Sequence, residues 1–524
     1  MEYKVLITTS GIGSRLGNLT KYSNKALIRV GDYAILTHII KNYHKDTHFV
    51  ITLGHFGNLI KQYIEICHSD SKVTFIQVDN YKGKGSSLLY SMLKAKEILN
   101  SPFIFHASDS IIHNEFKDLT TNYIAGFDKG DTSSYCSYDI NGENVITIYN
   151  KGEINPDFIH IGVIFIKDHE EFWKTALEIY GKNKESSTLN DVTVINKMIK
   201  GGVEFKHQKA EVWHDTGSVK GLLNARKSFH SRILNEVLDK EEESIYYYNN
   251  EIIKFFKDEN IAQNRINRAL SISNVIPKIV SSTKNFYSYK LQDGDVFSKI
   301  ANPSNFEEFL NFFDKNLWSN KVYNDPKLEL LCKDFYLEKT LKRISIFISK
   351  YEIQDNESLI NGIKVPPIFE LLKLIPQSLF SENIKTRIHG DFILDNCISH
   401  NNKFTMIDWR QDFSGELEFG DLYYDLSKLA HNIVVNHEII DKDLYTYSDQ
   451  NNIINVDILC KKSLIDCEKI LFTWAEKQGF SLVKIKILRA LIWINMSPLH
   501  HHPFDSFLFH FGKYNLYKAI NEKN

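Results

Sequence analysis

The chain contains 524 residues, 43% of them hydrophobic and 24% charged, and carries a formal net charge of −2 at pH 7. Single hydrophobic cores stop growing at roughly 250–300 residues, so this length predicts two domains. The nearly balanced charge provides no overall basic field, and we therefore expect no nucleic acid among the partners.

The cysteines and the apolar runs indicate the compartment. The six cysteines form no C-x-x-C pair, so we expect neither a structural zinc site nor a disulfide framework, and a reducing compartment is favoured. The segment MEYKVLITTSGIG has only a short apolar run before its glycines, and no segment reaches ~18 uninterrupted apolar residues. We expect a cytoplasmic protein with no signal peptide and no membrane partner.

The N-terminal part alternates short β-branched runs with amphipathic segments. This alternation predicts βαβ units and an α/β domain with a Rossmann-like, mostly parallel sheet. The predicted strands are YKVLIT, HFVITLG, VTFIQV and PFIFHAS, and the predicted helices cover 34–44, 57–67 and 86–99.

The alternation ends at about 228–245, where an acidic run follows. We place the boundary there, with a first domain over 1–230 and a second over 231–524. The second begins with a predicted hairpin, SIYYYNNEIIKFF, that turns at Asn249–Asn250, because asparagine tolerates the positive φ of a tight turn. Helical spacing dominates from about residue 305, which predicts a small β lobe followed by a mostly helical lobe.

A glycine-rich loop follows the first predicted strand. The segment SGIGSRLGNLTKYSNKALIRVG places Gly11 and Gly13 at a turn, with Arg15 and Lys25 downstream. Glycines let a backbone approach a phosphate closely, while arginine and lysine neutralise charge in a phosphoryl-type transition state. Alone, the two glycines are more typical of an ordinary strand-to-helix turn that needs positive φ.

The whole segment resembles the signature of sugar nucleotidyltransferases such as glucose-1-phosphate thymidylyltransferase, written G-x-G-T-R-L followed by Pro-Lys. The resemblance continues in order through YKGKGSSLLYSMLKA, FIFHASDSII, VITIYNKG, FIHIGVIFI and VWHDTGSVKGLLNA, and covers about 3–225. It implies Arg15 and Lys25 as catalytic cations, Ser10, Gly11, Gly13, Ser14, Gly85 and Ser86 at the nucleotide, Lys151 and Gly162 at the acceptor, and Asp109 and Asp215 as Mg²⁺ ligands.

The reaction implied by the resemblance is nucleotidyl transfer. A phosphate oxygen of the acceptor attacks the α-phosphorus of a nucleoside triphosphate and pyrophosphate leaves, so catalysis is mostly positioning and charge neutralisation. The chain departs from the family at Ser14 in place of Thr, at Asn24 in place of Pro, and at ITTSG in place of Leu-Ala-Ala-Gly. The last departure lies where the base is expected and leaves its identity open. We favour CTP, because a Gly-Ser-Arg form occurs in relatives that use CTP on phosphocholine-like or polyol-phosphate acceptors.

A second set of catalytic residue types lies in RIHGDFILDNCISHNNKFTMIDWR, which places Asp391 five residues before Asn396 and Asp408 after an apolar strand. A kinase needs a carboxylate that accepts the hydroxyl proton, and an Asn and an Asp that hold Mg²⁺. This segment, with GDLYYDLSKLA after it, resembles the choline kinase and aminoglycoside phosphotransferase family over about 245–515. The resemblance implies a bilobal protein-kinase-like α+β domain, with Asp391 as base, Asn396 and Asp408 as metal ligands, and His389 supporting the loop.

Lys254 in EIIKFF lies where a third-strand lysine of a kinase would pair with the phosphates of ATP. A solvent-facing lysine in a strand is an equally good interpretation. The preceding segment VLDKEEESIYYY has acidic residues where a kinase has its glycine-rich loop, which weakens the kinase interpretation. The histidines of PLHHHPFDSFLFHFGKY are interpreted as structural, because adjacent side chains point in different directions and no second set of ligands is evident.

The two resemblances together predict a bifunctional enzyme. The second domain would use ATP and Mg²⁺ to phosphorylate a small hydroxyl compound, and the first would join that product to a nucleotide, supplying an activated precursor for surface polysaccharide. The acceptor, a sugar, polyol or amino alcohol, stays open, and so does the oligomeric state, a homo-oligomer included. Two alternatives remain: an active first domain beside an inactive or unrelated kinase-like domain, and a nucleotide-binding sensor or scaffold.

Overall fold

The structure is a computed structural model that describes residues 3–113, 119–128, 132–152, 155–231 and 241–522. The chain divides into two compact units. The first contains 1–259 and 281–288, and the second contains 260–280 and 289–524. The predicted boundary at 230/231 adjoins residues 232–240, which lie outside the described residues, and it stays a prediction.

The first unit is a mixed α/β structure. Its strands are β1 (Lys4–Thr8), β2 (Arg29–Val30), β3 (Tyr33–Ala34), β4 (His48–Leu53), β5 (Lys72–Gln77), β6 (Phe103–Ala107), β7 (Ser110–Ile112), β8 (Asn122–Phe127), β9 (Ser137–Asn141), β10 (Asn144–Tyr149), β11 (Phe158–Ile166), β12 (Phe205–Lys209), β13 (Trp213–Asp215), β14 (Glu243–Tyr248) and β15 (Glu251–Phe256). Its helices are α1 (Ile35–Lys41), α2 (Gly57–Cys67), α3 (Leu88–Lys94), α4 (His169–Lys182), α5 (Asp191–Lys200) and α6 (Val219–Ser228). The four N-terminal strands and three helices expected from the sequence are confirmed.

Nine strands form the main sheet in the order β5-β4-β1-β6-β11-β8-β12-β10-β9. The strands β5, β4, β1 and β6 are parallel, as predicted. Among the described strands of the other half, only β8 and β12 pair in parallel. The prediction of a mostly parallel sheet is wrong for the rest of this half, where β11 runs antiparallel to β6 and β8, and β10 antiparallel to β9 and β12. The two residues between β9 and β10 allow only a hairpin, because a parallel pair needs a crossover of a dozen or more residues.

Both faces of this sheet are covered by apolar side chains. Along β1, Val5 and Ile7 belong to one hydrophobic cluster and Leu6 belongs to the other, which follows from the alternation of side chains along a strand. All three side chains are fully buried. Burial on both faces explains why the predicted strands read as continuous apolar runs.

The hairpin predicted at the start of the second domain is confirmed as β14 and β15. Asn249 and Asn250 turn it with φ of 49° and 61°. The side chains of Tyr246 and Phe255 pack into a hydrophobic cluster of the first unit, and the Tyr246 hydroxyl donates to the Leu27 carbonyl oxygen at 2.7 Å. This packing is why the compact first unit extends beyond residue 230.

Two further strands and a helix follow: β16 (Ile279–Ser282), β17 (Phe286–Lys290) and α7 (Glu259–Ser271). With the hairpin, the strands form a four-stranded sheet in the order β14-β15-β17-β16.

The second unit is largely helical. Its remaining helices are α8 (Phe297–Ile300), α9 (Pro303–Asn316), α10 (Pro326–Lys333), α11 (Lys339–Tyr351), α12 (Ile368–Lys373), α13 (Ser378–Ser381), α14 (Leu422–Val434), α15 (His437–Asp441), α16 (Lys462–Lys477), α17 (Leu482–Met496) and α18 (Phe504–Asn521). Its strands are β18 (Asp295–Val296), β19 (Val322–Tyr323), β20 (Ser358–Ile360), β21 (Ile363–Val365), β22 (Ile384–Thr386), β23 (Cys397–His400), β24 (Lys403–Met406), β25 (Gly420–Asp421), β26 (Tyr445–Gln450) and β27 (Ile453–Ile458). In the described part of the chain, no helix combines the length and apolar character that a membrane crossing needs.

Candidate active sites

The glycine-rich loop leaves the carboxyl end of β1 and enters a 3₁₀ helix over Ser14–Thr20. Gly13 has a φ of +67°, and a Cβ there would lie 2.9 Å from Thr20 Cγ2 and 3.2 Å from Lys25 Cβ. Positive φ and close approach both require glycine at this position. Gly11 is exposed and has open space around it, which leaves room for a ligand beside the loop.

Asn24, which stands where the nucleotidyltransferase signature has proline, anchors this loop. Its side chain is fully buried and donates to the carbonyl oxygens of Thr9 at 2.7 Å and His55 at 2.6 Å. Its side-chain oxygen Oδ1 accepts from the backbone N–H of Ala26 at 3.0 Å. A proline could make none of these side-chain bonds, so the substitution brings a different means of holding the loop, immediately before Lys25.

Two cations and a carboxylate meet beside the loop. The Lys25 ammonium lies 2.9 Å from Asp109 Oδ2, and the Arg15 guanidinium lies 3.5 Å from the same oxygen. Burial opposes ionisation of Asp109, but Lys25 and Arg15 outweigh it and hold the pKa of this carboxyl below its usual value. Asp109 is therefore ionised at neutral pH, and the sequence-predicted cations converge on it.

The second predicted ligand, Asp215, lies on the strand next to Asp109. It pairs with Ser110 across the β7–β13 ladder, and its carboxylate accepts from the Gly217 N–H at 3.0 Å. A Cβ added to Gly217 would lie 2.8 Å from Asp109 Oδ2, so the two carboxylates flank this glycine. Two carboxylates suit Mg²⁺, which keeps several waters and takes its remaining oxygens from substrate phosphates.

We expect Gly217→Ala to lower pyrophosphate release while leaving folding nearly intact. The new Cβ would displace the ends of two side chains, Asp109 and Arg15, from which it would lie 2.8 and 2.9 Å, and would leave the backbone in place. Misplacing catalytic groups by about 1 Å can cost ~10²-fold in rate. Steady-state pyrophosphate release and the thermal midpoint would be measured together. Gly181→Ala in α4, where a Cβ meets open space, is the matched control and should change neither.

The two predicted acceptor residues, Gly162 and Lys151, lie in different parts of the first unit. Gly162 has a φ of +75° at the irregularity of β11, and a Cβ there would lie 2.7 Å from Ala107 Cβ, two residues before Asp109. Lys151 is exposed in the turn after β10 and lies beside Cys136. The structure therefore places Gly162 against the strand end that carries Asp109, and Lys151 in a surface turn.

The predicted nucleotide loop lies before α3. Gly85 has a φ of +77° and donates its N–H to the Glu185 carbonyl oxygen at 3.0 Å, while the Ser86 hydroxyl donates to the Gly83 carbonyl oxygen at 2.6 Å. Ser10 is buried and its hydroxyl bonds that of Ser91 in α3 at 2.8 Å. This bond ties the glycine-rich loop to the helix that follows Gly85.

In the second unit, Asp391 makes contacts in two directions. Its Oδ1 lies 2.7 Å from the Lys428 ammonium of α14, and its Oδ2 accepts from the Asn396 amide at 3.2 Å. Burial opposes ionisation of Asp391, but Lys428 outweighs it and keeps the pKa of the carboxyl below its usual value. Asp391 is thus an ionised carboxylate, and its side chain is 38% exposed. A base that receives a hydroxyl proton must be ionised and accessible to its substrate.

Asn396 and Asp408 lie at the open end of the β23–β24 hairpin, where β23 begins and β24 ends. The backbone N–H of Ile407, next to Asp408, donates to the Asn396 carbonyl oxygen at 2.8 Å, beside the β23–β24 ladder. The Asn396 amide nitrogen is committed to Asp391, which leaves its amide oxygen as a ligand. An amide oxygen and a carboxylate are the hard donors that Mg²⁺ prefers.

A buried carboxylate, Asp425 of α14, holds the turn before Asp391. It accepts the backbone N–H groups of His389 and Gly390, each at 2.8 Å, and the Trp318 indole N–H at 3.1 Å. Burial raises the pKa of Asp425 to about 6 and lowers that of His389 to about 3. Neutral His389 then accepts the Asp391 N–H at 3.3 Å, consistent with its predicted support of the loop.

We expect Asp425→Ala to destabilise the second unit by about 3–5 kcal/mol, because it leaves three buried N–H donors without an acceptor. The urea midpoint of the full chain would report the change. Asp466→Ala on α16 removes a surface carboxylate that pairs with two neighbouring exposed lysines and should leave the midpoint nearly unchanged. Equal midpoints for the two variants would contradict this role of Asp425.

Lys254 lies on β15 in the first unit, and its side chain is 5% exposed. Its burial argues against the interpretation as an ordinary solvent-facing lysine. Its predicted pairing with ATP phosphates stays a prediction.

Within the described ranges, no group of three or more His, Cys, Asp or Glu side chains is placed to hold a metal ion. The structural interpretation of the histidines at 500–502 and 510 stays a prediction. Burial lowers the pKa of His500 to about 4 and that of His510 to about 3, so both are neutral.

Several residues of these sites were not found by sequence reasoning. Gly217, Asp425 and Lys428 fall within the motif segments, but no role was assigned to them. For the two α14 residues, a signal was present: they are three apart and share one helix face. Gly217 could not be found, because its role depends on two carboxylates brought together by strand pairing.

Comparisons with known proteins bear on the N-terminal half. No protein-family model matches the chain. The bifunctional protein GlmU of Methanococcus maripaludis is 21% identical over 261 residues, which are 48% of this chain and 60% of that protein, so this chain spans three-fifths of the length of the curated relative it matches.

Two solved structures show the extent of the similarity. A UDP-glucose pyrophosphorylase complexed with UDP-glucose matches at 15% identity and a TM-score of 0.37, over 44% of this chain and 98% of that one. The CTP:phosphocholine cytidylyltransferase from Streptococcus pneumoniae matches at 19% identity and a TM-score of 0.37, over 44% of this chain and 99% of that one.

Proposed function

We propose that the first unit is a nucleotidyltransferase that joins a nucleoside triphosphate to a phosphorylated small molecule and releases pyrophosphate. The observation that carries the proposal is the convergence of Lys25 and Arg15 on Asp109, beside Asp215 and next to the glycine-rich loop. These are the charges that in-line attack on an α-phosphorus needs.

In the proposed reaction, a phosphate oxygen of the acceptor forms a bond to the α-phosphorus, and the bond from that phosphorus to the β-phosphate oxygen breaks. Lys25 and Arg15 neutralise charge on the triphosphate, and the loop positions it with backbone N–H groups. Asp109 and Asp215 would hold Mg²⁺, which supplies positive charge to the phosphate oxygens when bound. No covalent nucleophile is required.

The base is proposed to be cytosine, on the Gly-Ser-Arg sequence alone. The hydroxyls of Thr9 and Ser10 at the departure from the family sequence are buried and already bonded, to the Thr52 carbonyl oxygen at 2.6 Å and to Ser91 at 2.8 Å. These two hydroxyls therefore stabilise the fold of this unit, and other groups of the loop would recognise the nucleotide base.

The second unit is proposed to be a small-molecule kinase. The arrangement that supports this is Asp391 held between Lys428 and Asn396, with Asp408 at the adjoining strand end. The acceptor hydroxyl oxygen would attack the γ-phosphorus of ATP, its proton would pass to Asp391, and ADP would leave. The phosphorylated product is the class of compound that the first unit consumes, a precursor, on the resemblance, of surface polysaccharide.

The test of the nucleotidyltransferase proposal is pyrophosphate release by the full chain with Mg²⁺. CTP, UTP, dTTP, GTP and ATP would each be paired with a panel of sugar, polyol and amino-alcohol phosphates. We expect turnover with one nucleotide and one acceptor class. Binding of a nucleotide without pyrophosphate release from any pair would favour the sensor or scaffold alternative.

A further inference from the structure

The second unit contains a cavity of about 170 Å³, to which the proposed kinase reaction assigns no role. Four cationic side chains line it: Lys339 and Arg343 of α11, Arg410 of the segment after β24, and Lys428 of α14. Apart from the amide of Asn495, the rest of the wall is aromatic and aliphatic, and α17 supplies most of the aliphatic part. A volume of this size, several times that of one water molecule at ~30 Å³, can hold a small organic molecule.

The positive charges of the cavity are not balanced by protein carboxylates. Among the described residues, Lys428 is the one member of the four that lies within 4 Å of a carboxylate, that of Asp391. Burial, together with Arg410, Lys428 and Arg343, lowers the pKa of Lys339 to about 7. Like charges gathered in a partly buried cavity repel one another, and their cost falls when an anion binds among them.

The cations are held in defined positions. The Lys339 ammonium and the Arg410 guanidinium lie 4.4 and 4.9 Å from the centre of the same ring, Phe335. Arg410 packs closely against the turn that precedes Asp391. Gly390 in that turn has a φ of +82°, and a Cβ added to it would lie 2.8 Å from Arg410 Cβ, so glycine allows this close approach. Stacking on an aromatic face orders both cations and distinguishes them from freely rotating surface side chains.

Lys428 connects the cavity to the proposed base. Its side chain lines the cavity, and its ammonium contacts Asp391 Oδ1 at 2.7 Å, whereas the Asn396 amide contacts Asp391 Oδ2. Asp391 itself is not among the residues that line the cavity. A hydroxyl compound in the cavity would therefore be separated by one side chain, that of Lys428, from the group proposed to accept its proton.

We propose that this cavity binds the phosphoryl acceptor of the second unit, and that the acceptor carries an anionic group, a carboxylate or a phosphate, in addition to the hydroxyl. This inference rests on the proposed kinase reaction. It excludes choline and other amino alcohols, whose cationic groups would be repelled by the four side chains, and it excludes uncharged polyols as preferred acceptors. If the two units act in sequence, the acceptor of the first unit carries the same anionic group beside its new phosphate.

Binding tests the charge of the ligand directly. Isothermal titration of the full chain would compare D-glycerate, sn-glycerol 3-phosphate, glycerol and choline; the first three share a three-carbon hydroxyl skeleton and differ in charge. We expect at least one of the two anions to bind at least tenfold more tightly than glycerol and choline. The two anions distinguish a carboxylate from a phosphate. The inference is wrong if neither anion binds more tightly than glycerol.

Variants assign the binding to the cavity. Lys339→Met combined with Arg343→Met should weaken binding of the anion at least tenfold, whereas Lys342→Met, an exposed position on the same helix, should change it less than twofold. Unchanged binding in the double variant would place the anion elsewhere, the first unit included, and overturn the inference. Competition between the anion and a non-hydrolysable ATP analogue would also overturn it, because the cavity would then belong to the nucleotide.

ADP release separates this inference from the kinase proposal. Turnover of choline or glycerol in preference to both anions would leave the kinase proposal standing and contradict the anionic acceptor. Binding of an anion that depends on Lys339 and Arg343, without ADP release from any hydroxyl compound, would leave the cavity assignment standing and contradict the kinase.

Discussion

Replacing Lys25 with methionine should lower the turnover of pyrophosphate release by about 10²–10³-fold, the effect expected when a preorganised charge at a transition state is removed. The Lys25 ammonium is 2.9 Å from Asp109 and 18% exposed, so solvent cannot replace it fully. Arg15, at 3.5 Å and 54% exposed, would be the remaining cation at this carboxylate.

The control for Lys25 is Lys21→Met. Lys21 lies four residues earlier, is 52% exposed and faces Glu241 at 3.6 Å, so its removal should change turnover less than twofold. Thermal midpoints of both variants would show that the fold is retained. A Lys25→Met enzyme that keeps more than a tenth of the normal turnover would contradict the proposed role.

Asp391→Asn should lower ADP release by about 10²–10⁴-fold, the contribution typical of a general base. The amide keeps the shape of the side chain but cannot accept the hydroxyl proton, and it removes the charge that pairs with Lys428. If the units act in sequence, the nucleotide-activated product formed from unphosphorylated acceptor, ATP and a second nucleotide should also disappear. Pyrophosphate release from the phosphorylated acceptor should persist.

The control for Asp391 is Asp395→Asn in the same loop. Asp395 accepts from the Ser298 hydroxyl at 2.6 Å and from the Asn432 amide at 2.8 Å, so this change disturbs the loop without removing the base. Equal losses of ADP release in the two variants would show that Asp391 acts only structurally. An unchanged yield of activated product from unphosphorylated acceptor in Asp391→Asn would show that the two units do not act in sequence.

The cationic cavity restricts the chemical class of the phosphoryl acceptor, which the sequence left open. Sequence reasoning allowed a sugar, a polyol or an amino alcohol as acceptor, because its motifs report the phosphoryl chemistry and not the acceptor. The cavity gathers Lys339, Arg343, Arg410 and Lys428 from three segments separated by up to about 90 residues. No local pattern connects these segments, so the charge of the acceptor could be inferred only once they were folded together.

Short-range sequence patterns specify the local elements and the order of the motifs. The strands of β1, β4, β5 and β6 and the turn at Asn249–Asn250 follow from short-range rules: apolar runs long enough for a strand, and residues that tolerate positive φ. The glycine at position 13 and the cation at position 25 were likewise recognisable from residue type and spacing. Such features depend on neighbours within a few residues, which the sequence states directly.

Tertiary structure alone decided which of these groups meet. Pairing of β7 with β13 brings Asp215 beside Asp109, although 105 positions separate them, and it makes Gly217 a necessary glycine. Burial of Tyr246 and Phe255 in a hydrophobic cluster of the first unit places the hairpin in that compact unit, which the hairpin's own sequence does not indicate. Contacts between distant segments depend on strand order and packing, and no periodicity within a single segment encodes them.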